Sequence, residues 1–135
     1  MTKPNEIIKY LKMRPHPEGG HFTESYRDNN ISLIYYLLKK NEISHWHRLK
    51  KNEILHFYAG DPLIVLLSID KINVKKKILS SKINNSYQFV VKKGTWFSMQ
   101  SEGEYTLIGC SVSPPFEYSD FELAPKNWNP INFNK

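Results

Sequence analysis

The sequence predicts an all-β antiparallel sandwich or barrel preceded by one short helix. Three observations carry this expectation. Short β-rich segments fill the chain from Gly20 onward, turn signals interrupt them at roughly 8–12-residue intervals, and no helical segment long enough for a βαβ crossover separates them. With 135 residues, one domain is expected, because two cores of about 65 residues each would both be marginal. A composition of 40% apolar and 13% aromatic residues can fill that core without a metal or disulfide.

Asn5 is in position to cap a short helix whose Ile7, Ile8 and Leu11 share one face, and Pro15 is expected to end it. The strands are expected near 20–27, 31–38, 44–49, 53–59, 63–69, 73–79, 87–91, 95–99, 104–112 and 116–123. Between them lie turn sequences such as Asp28-Asn29-Asn30, Lys50-Lys51-Asn52, Gly60-Asp61-Pro62, Lys93-Gly94 and Pro114-Pro115. The chain divides into a helical segment at 1–13, a β domain at 14–125 and an Asn-rich tail at 126–135 that is expected to be poorly ordered.

The formal charge of +6 invites a nucleic-acid reading, but its make-up argues against one. Only three of the 19 cations are Arg (Arg14, Arg27, Arg48), and the Lys, Asn and Ile content is what an AT-rich coding sequence tends to produce. The Lys pairs also fall at strand ends and turns, where a solvated cation is ordinary. No helix-turn-helix, zinc-finger or RNP pattern is present, so nucleic acid is not an expected partner. The lone Cys110 cannot close an internal bridge and reads as a core residue in a reducing, cytoplasmic setting. The longest apolar runs, at 31–38 and 63–69, are too short to span a bilayer, and no membrane association is expected.

Candidate chemistry concentrates in Ser44-His45-Trp46-His47-Arg48-Leu49 and Glu53-Ile54-Leu55-His56-Phe57-Tyr58. Read as a β-hairpin, the two segments place Leu49 opposite Glu53, His47 opposite Leu55 and His45 opposite Phe57, all on one face. Glu53 then lies diagonal to His47, at about 7 Å between backbones, so an imidazole and a carboxylate could share a proton or a metal. His56 and Tyr58 point the other way. The competing reading is a surface hairpin with scattered histidines, and a one-residue slip in register would exchange the two faces.

The run His45-x-His47, then Glu53, six residues and Gly60, resembles the first motif of the cupins, with Lys39 in the first Gly slot and five residues between His47 and Glu53. More of the chain resembles the cupin_5 family. The matching blocks are Pro15-His16-Pro17-Glu18-Gly19-Gly20, Tyr26-Arg27, Trp46-His47-Arg48, Glu53 through Pro62, Gly94-Thr95-Trp96, Tyr105-Thr106-Leu107 and Ser119 through Leu123. The resemblance implies a cupin double-stranded β-helix, an RmlC-like jelly-roll barrel, over residues 14–125 and usually a homodimer; it supplies no well-established reaction. The second cupin motif is largely missing: Ser86, Lys92, Phe97 and Ser101 stand at its Gly, Pro, His and Asn positions. At most His45, His47 and Glu53 then remain as ligands for a divalent ion (Fe, Mn, Ni or Zn), and because the family generally keeps only the His matching His47, the first expectation is no cofactor.

Without a metal, His47 is the candidate base and Glu53 its orienting partner or a second acid. The expected ligand is a small polar metabolite, a sugar or nucleotide derivative, either isomerised by acid–base chemistry or bound unchanged by a sensor. Tyr26, Tyr35 and Tyr105 are candidate acids on expected lining strands. Arg27 and Arg48 could clamp a phosphate or carboxylate, against the alternative of outward salt bridges. Phe57 and Phe97, with Trp46 and Trp96, could stack on a ring ligand or simply pack. The Glu18-Gly19-Gly20 loop reads as a plain turn, with anion binding by its amides as the alternative.

Overall fold

The computed structural model describes residues 2–134; residues 1 and 135, the outermost residues of the expected helical segment and tail, lie outside it. After the helix α1 (Pro4–Tyr10) come β1 (Arg14–Pro15), β2 (His21–Arg27), β3 (Ser32–Lys39), β4 (Ile43–Leu49), β5 (Glu53–Gly60) and β6 (Leu63–Ser68). The remainder are β7 (Lys75–Leu79), β8 (Gln88–Val91), β9 (Trp96–Ser101), β10 (Tyr105–Val112) and β11 (Phe121–Leu123). They form a six-stranded sheet, β1-β2-β3-β10-β5-β8, and a five-stranded sheet, β11-β4-β9-β6-β7, with antiparallel pairing throughout. This is the expected jelly roll.

Period-2 alternation explains how the sheets close on each other. On β3, Ser32 and the run Tyr36-Leu37-Leu38 are buried, and of that run Tyr36 and Leu38 belong to the main core. Leu55, Leu63, Val65, Phe97, Met99 and Ile108 come in from facing strands to complete one core with Tyr36 and Leu38. The helix is not capped by Asn5. Lys3 is the N-cap residue without a side-chain cap, Pro4 occupies the first turn, where its missing N–H costs nothing, and the helix ends at Leu11, well before Pro15. The segment expected as a strand at 116–123 is a strand only at β11, preceded by a 3-10 turn at Tyr118–Asp120.

Two expectations fail in instructive ways. First, β4 and β5 are consecutive but not paired: β4 bonds to β9 and β11, and β5 to β10 and β8. The Lys50-Lys51-Asn52 connection crosses from one sheet to the other, so His47 and Glu53 approach across the barrel interior rather than along a hairpin face. Second, the tail is not loose. Trp128 and Phe133 pack with Trp46, Trp96 and Ala124 in a second cluster on the outer side of the five-stranded sheet. The Trp46 indole N–H donates to Asn129 Oδ1 at 3.1 Å, and the Ile131 and Asn132 amides donate to the Lys71 and Ile72 carbonyls at 3.1 and 2.8 Å.

The tail is therefore expected to contribute to stability. Trp128 sits edge-on to Trp46 and tilted over Trp96, with ring centroids 6.0 and 5.1 Å away. Trp128→Ala should lower stability by about 1.5–3 kcal/mol, read as a lower urea midpoint at unchanged slope. Tyr10→Ala, at a side chain that is 84% exposed, is the control expected to leave the midpoint in place.

Candidate functional site

A cavity of about 200 Å³ opens at one end of the barrel. Its inner wall carries His16, Glu18, His47, Glu53 and Cys110, and its outer wall and mouth carry Arg14, Phe22, Glu24, Arg27, Phe116, Glu117, Tyr118 and Phe121. His47, Glu18 and Glu53 are only 2%, 8% and 8% exposed, so the three groups are held away from bulk water.

A bulge in β4 decides which histidine faces inward. Ile43 and Ser44 pair with Gln100 and Met99, but the next registered pair is His47 with Phe97, which leaves one extra residue on β4. That extra residue reverses the alternation, so Ser44 and His47 are both buried although three positions apart. His45 falls outside the cavity lining, with its Nε2 held 2.9 Å from the Pro125 carbonyl.

Glu18 is delivered by the Glu18-Gly19-Gly20 turn. Gly19 has φ of +114°, and a Cβ there would fall on the Ile43 carbonyl oxygen, so only glycine lets this turn press against β4. The His45 amide donates to the Glu18 carbonyl at 2.8 Å, and the Ser44 hydroxyl donates to the Glu18 carboxyl. Glu18 Oε2 then lies 3.4 Å from His47 Nε2, and Glu18 Oε1 lies 3.4 Å from His16 Nδ1.

The hydrogen bonds fix both tautomers. His47 Nδ1 donates to the His45 carbonyl at 2.7 Å, leaving the Nε2 lone pair of the neutral ring facing Glu18. His16 Nδ1 accepts the Glu18 amide at 3.1 Å, so its proton resides on Nε2. Burial lowers the pKa of both imidazoles below the usual histidine range and raises that of the Glu18 carboxyl. Burial also pushes Glu53 up to about 7, with His47 opposing the shift, Glu18 adding to it and the Cys110 thiol opposing it. The site thus holds basic imidazole nitrogen beside carboxyls that retain a proton at unusually high pH.

A flap covers part of the mouth. Lys51, expected as a solvated turn cation, is instead 20% exposed, donates to the Pro115 carbonyl at 2.8 Å and lies 2.6 Å from Asp120 Oδ2. The Phe116 amide donates to Ser32 Oγ at 2.8 Å, and Arg27 Nη2 donates to the Phe116 carbonyl at 2.5 Å. These contacts hold Phe116, Tyr118 and Phe121 over the cavity.

The remaining sequence candidates are dispersed. Arg27 lines the mouth, but its guanidinium is engaged by Glu24, Glu117 and the Phe116 carbonyl. Arg48 pairs with Glu122 at 2.8 Å and lies over the Trp96 ring, outside the cavity lining. Phe97 lies behind His47, its ring centroid 4.1 Å away, whereas Phe57 packs against the main core. Tyr26 is half-exposed and bonded to Asp28, Tyr35 is tilted against Tyr58 with centroids 5.9 Å apart, and Tyr105 lies against Gly60; none lines the cavity. The tyrosine that does is Tyr118. Sequence reasoning read Glu18 as turn filler and passed over His16, Arg14 and Phe22; the signal for Glu18 was the Gly-Gly that follows it.

The residues do not fit a metal. Among the described residues no group of three or more His, Cys, Asp or Glu side chains is disposed to hold an ion, and the expected set of His45, His47 and Glu53 is broken by the bulge that turns His45 outward. Also among the described residues, no helix is long and apolar enough to cross a membrane.

Burial of Glu53 has a measurable consequence. Between about pH 4.5 and 7 the folded chain keeps a proton on Glu53 that the unfolded chain has released, so this contribution to stability is full below about 4.5 and lost as pH rises to about 7. Glu53→Gln removes that loss. The variant should exceed the parent in stability by up to about 3 kcal/mol above pH 7, with the gap closing toward pH 4.5, as read from urea midpoints across pH. His47 contributes with the opposite sign, its share growing as pH rises toward 6.5, and is present in both proteins. A constant gap across this range would show that Glu53 titrates normally.

The comparisons with known proteins agree with this architecture. Protein SO0799 from Shewanella oneidensis superposes with a TM-score of 0.87 at 34% identity, over 92% of this chain and 85% of that one. A hypothetical protein from Leishmania major gives 0.82 at 26% identity, over 94% and 90%. Oxalate decarboxylase from Bacillus subtilis gives 0.66 at 15% identity, over 81% of this chain and 29% of that one, and is a likeness of fold alone. No curated protein matches the chain. The Cupin_5 profile, described as cupin superfamily (DUF985), matches residues 5–124, and with a barrel of this topology behind that match, the chain belongs to the Cupin_5 family.

Proposed function

We propose that the chain binds a small polar metabolite of single-sugar size in this cavity and moves protons on it, as an acid–base isomerase or epimerase. The observation that carries the reading is the neutral His47 ring, whose free Nε2 faces the Glu18 carboxyl at 3.4 Å inside a sheltered cavity that also holds Glu53. A cavity of about 200 Å³ is smaller than the pockets that enclose drug-sized ligands. One sugar ring fits that scale; a nucleotide attached to it would lie outside, against the Phe116 and Tyr118 flap.

In this reading His47 Nε2 removes a proton from a carbon next to the substrate carbonyl, and the electron pair moves onto the carbonyl oxygen. A carboxyl that still holds its proton, Glu18 or Glu53, donates to that oxygen. Return of a proton to the same carbon from the other face, with the enol proton going back to the carboxylate that gave it, gives an epimer; return to the former carbonyl carbon, with the carboxylate taking the proton of the neighbouring hydroxyl, gives an isomer. The low polarity of the wall matters because it brings the acid and base strengths of the two partners together near neutral pH. The flap limits water, which would otherwise compete for the enediol.

The test is deuterium incorporation from D2O into aldoses and ketoses offered to the folded protein, followed by NMR. Exchange is expected with the parent, and His47→Gln should slow it by roughly 10²- to 10⁴-fold. Native mass spectrometry of freshly purified protein gives the second readout. A metabolite retained unchanged with no exchange would make the chain a binding module. Retention and exchange both indifferent to His47→Gln and Glu53→Gln would overturn the assignment.

We also propose pairing into a homodimer through the outer face of the six-stranded sheet, where Tyr26, Tyr58 and Val90 are 51%, 53% and 45% exposed. Light scattering should return twice 15.9 kDa. Tyr58→Arg should return the single-chain mass.

A further inference from the structure

The cations at the cavity mouth are not equivalent, and the difference bears on what enters. Arg27 is spent: Nε donates to Glu24, Nη1 lies 3.5 Å from Glu117, and Nη2 donates to the Phe116 carbonyl. Glu24 and Glu117 offset its charge and are themselves the acidic groups of the mouth. Arg14 has no carboxylate or hydrogen-bond acceptor among the described residues. Its guanidinium lies 5.4 Å from the centroid of the Phe22 ring, the residue directly opposite it in the β1–β2 ladder. Phe22 in turn stands edge-on to His16, with centroids 4.6 Å apart, and His16 adjoins Glu18. A row of contacts therefore leads from an uncompensated cation at the mouth to the His47–Glu18 pair inside.

We propose that Arg14 captures an anionic group, a phosphate or a carboxylate, carried by the metabolite, and so orients its uncharged end toward His47 and Glu18. The guanidinium fork matches either oxyanion with two parallel N–H donors. The Phe22 face holds that fork in place through the cation–π contact without using any of its donors, so they remain free for a ligand. The other two arginines of the chain are both paired with carboxylates, which leaves Arg14 as the one whose fork is unpaired among the described residues. The anionic end stays at the wet mouth, where its desolvation costs little, and the acidic interior receives only hydroxyl and carbonyl groups.

This inference rests on the reading of the cavity as a ligand site, and the experiment separates the two. The probes are glucose 6-phosphate and glucuronate, which differ in the anion, with glucose as the neutral control. Calorimetry gives affinity, and the ¹⁵N-labelled side-chain Nε–H signals, three for the three arginines of the chain, give location once each is assigned by substitution. One or both anionic probes should shift the Arg14 signal and leave that of Arg48 in place. Arg14→Gln should weaken that binding by roughly ten- to a hundredfold, the range for hydrogen bonds to a charged group, while binding of glucose is unchanged. Response to only one probe distinguishes phosphate from carboxylate. If neither probe moves the Arg14 signal at millimolar concentration, or Arg14→Gln binds both as tightly as the parent, the anion site is wrong. If glucose binding under those conditions still depends on His47, as tested with His47→Gln, the cavity reading stands without it.

Discussion

The structure depends on one close approach: the Gly19 turn driven against β4, which sets the Glu18 carboxyl beside His47. Two backbone irregularities make it possible. The positive φ of Gly19 removes the side chain that would collide with the Ile43 carbonyl, and the bulge in β4 turns His47 inward. A regular strand with alanine at the turn would leave these two groups on separate surfaces. Neither irregularity improves the core, since the bulge interrupts the β4–β9 ladder and the turn requires the conformationally costly residue.

The groups so gathered do not stabilise the fold either. Burying carboxyls without a full complement of donors costs free energy, and the protein meets that cost by shifting proton affinity instead of by forming tight ion pairs. Burial favours the protonated Glu18 carboxyl, against the opposing influence of His16 and of the Ser44 hydroxyl donor. The main core, which adjoins the cavity, and the second cluster under the tail carry the stability that this arrangement consumes. Acid and base properties near neutrality thus follow from where the chain places its apolar walls.

Much of the barrel was legible in the sequence because turns and alternation are local signals. Ten expected strands correspond to β2 through β11, with boundaries mostly within a residue or two, since Asp28-Asn29, Gly60-Asp61-Pro62 and Lys93-Gly94 break the pattern where the chain does. Pairing was less legible. The three residues after Leu49 look like a hairpin loop, and nothing local distinguishes a loop that returns along its own sheet from one that crosses to the other. Facing His47 and Glu53 into one cavity was nonetheless compatible with both, because in either case the buried phase of each strand points to the interior. His45 could not be placed by alternation, since a bulge leaves no mark in residue spacing. Tyr118 escaped notice because it comes from a flap whose position depends on the contacts of Lys51 with Pro115 and Arg27 with Phe116, which span 64 and 89 residues of sequence. The tail was misread for a similar reason: its Asn content suggests a solvated coil, whereas Trp128 and Phe133 find an apolar surface that exists only after the five-stranded sheet has formed.

The position of Phe97 connects the absent cupin motif to the chemistry of the site. Aligned on Gly94, Phe97 stands where the second cupin motif carries its histidine, and in the barrel it pairs directly with His47, ring centroid to ring centroid at 4.1 Å. A histidine there would add a donor atom beside the His47 ring. Phenylalanine adds only hydrocarbon, which excludes water from one side of the imidazole and presents no charge to the Glu53 carboxyl. Burial lowers the pKa of His47 and raises that of Glu53, and Phe97 contributes to that burial on the His47 side. The departure from the motif therefore removes a potential ligand and adds to the burial of His47.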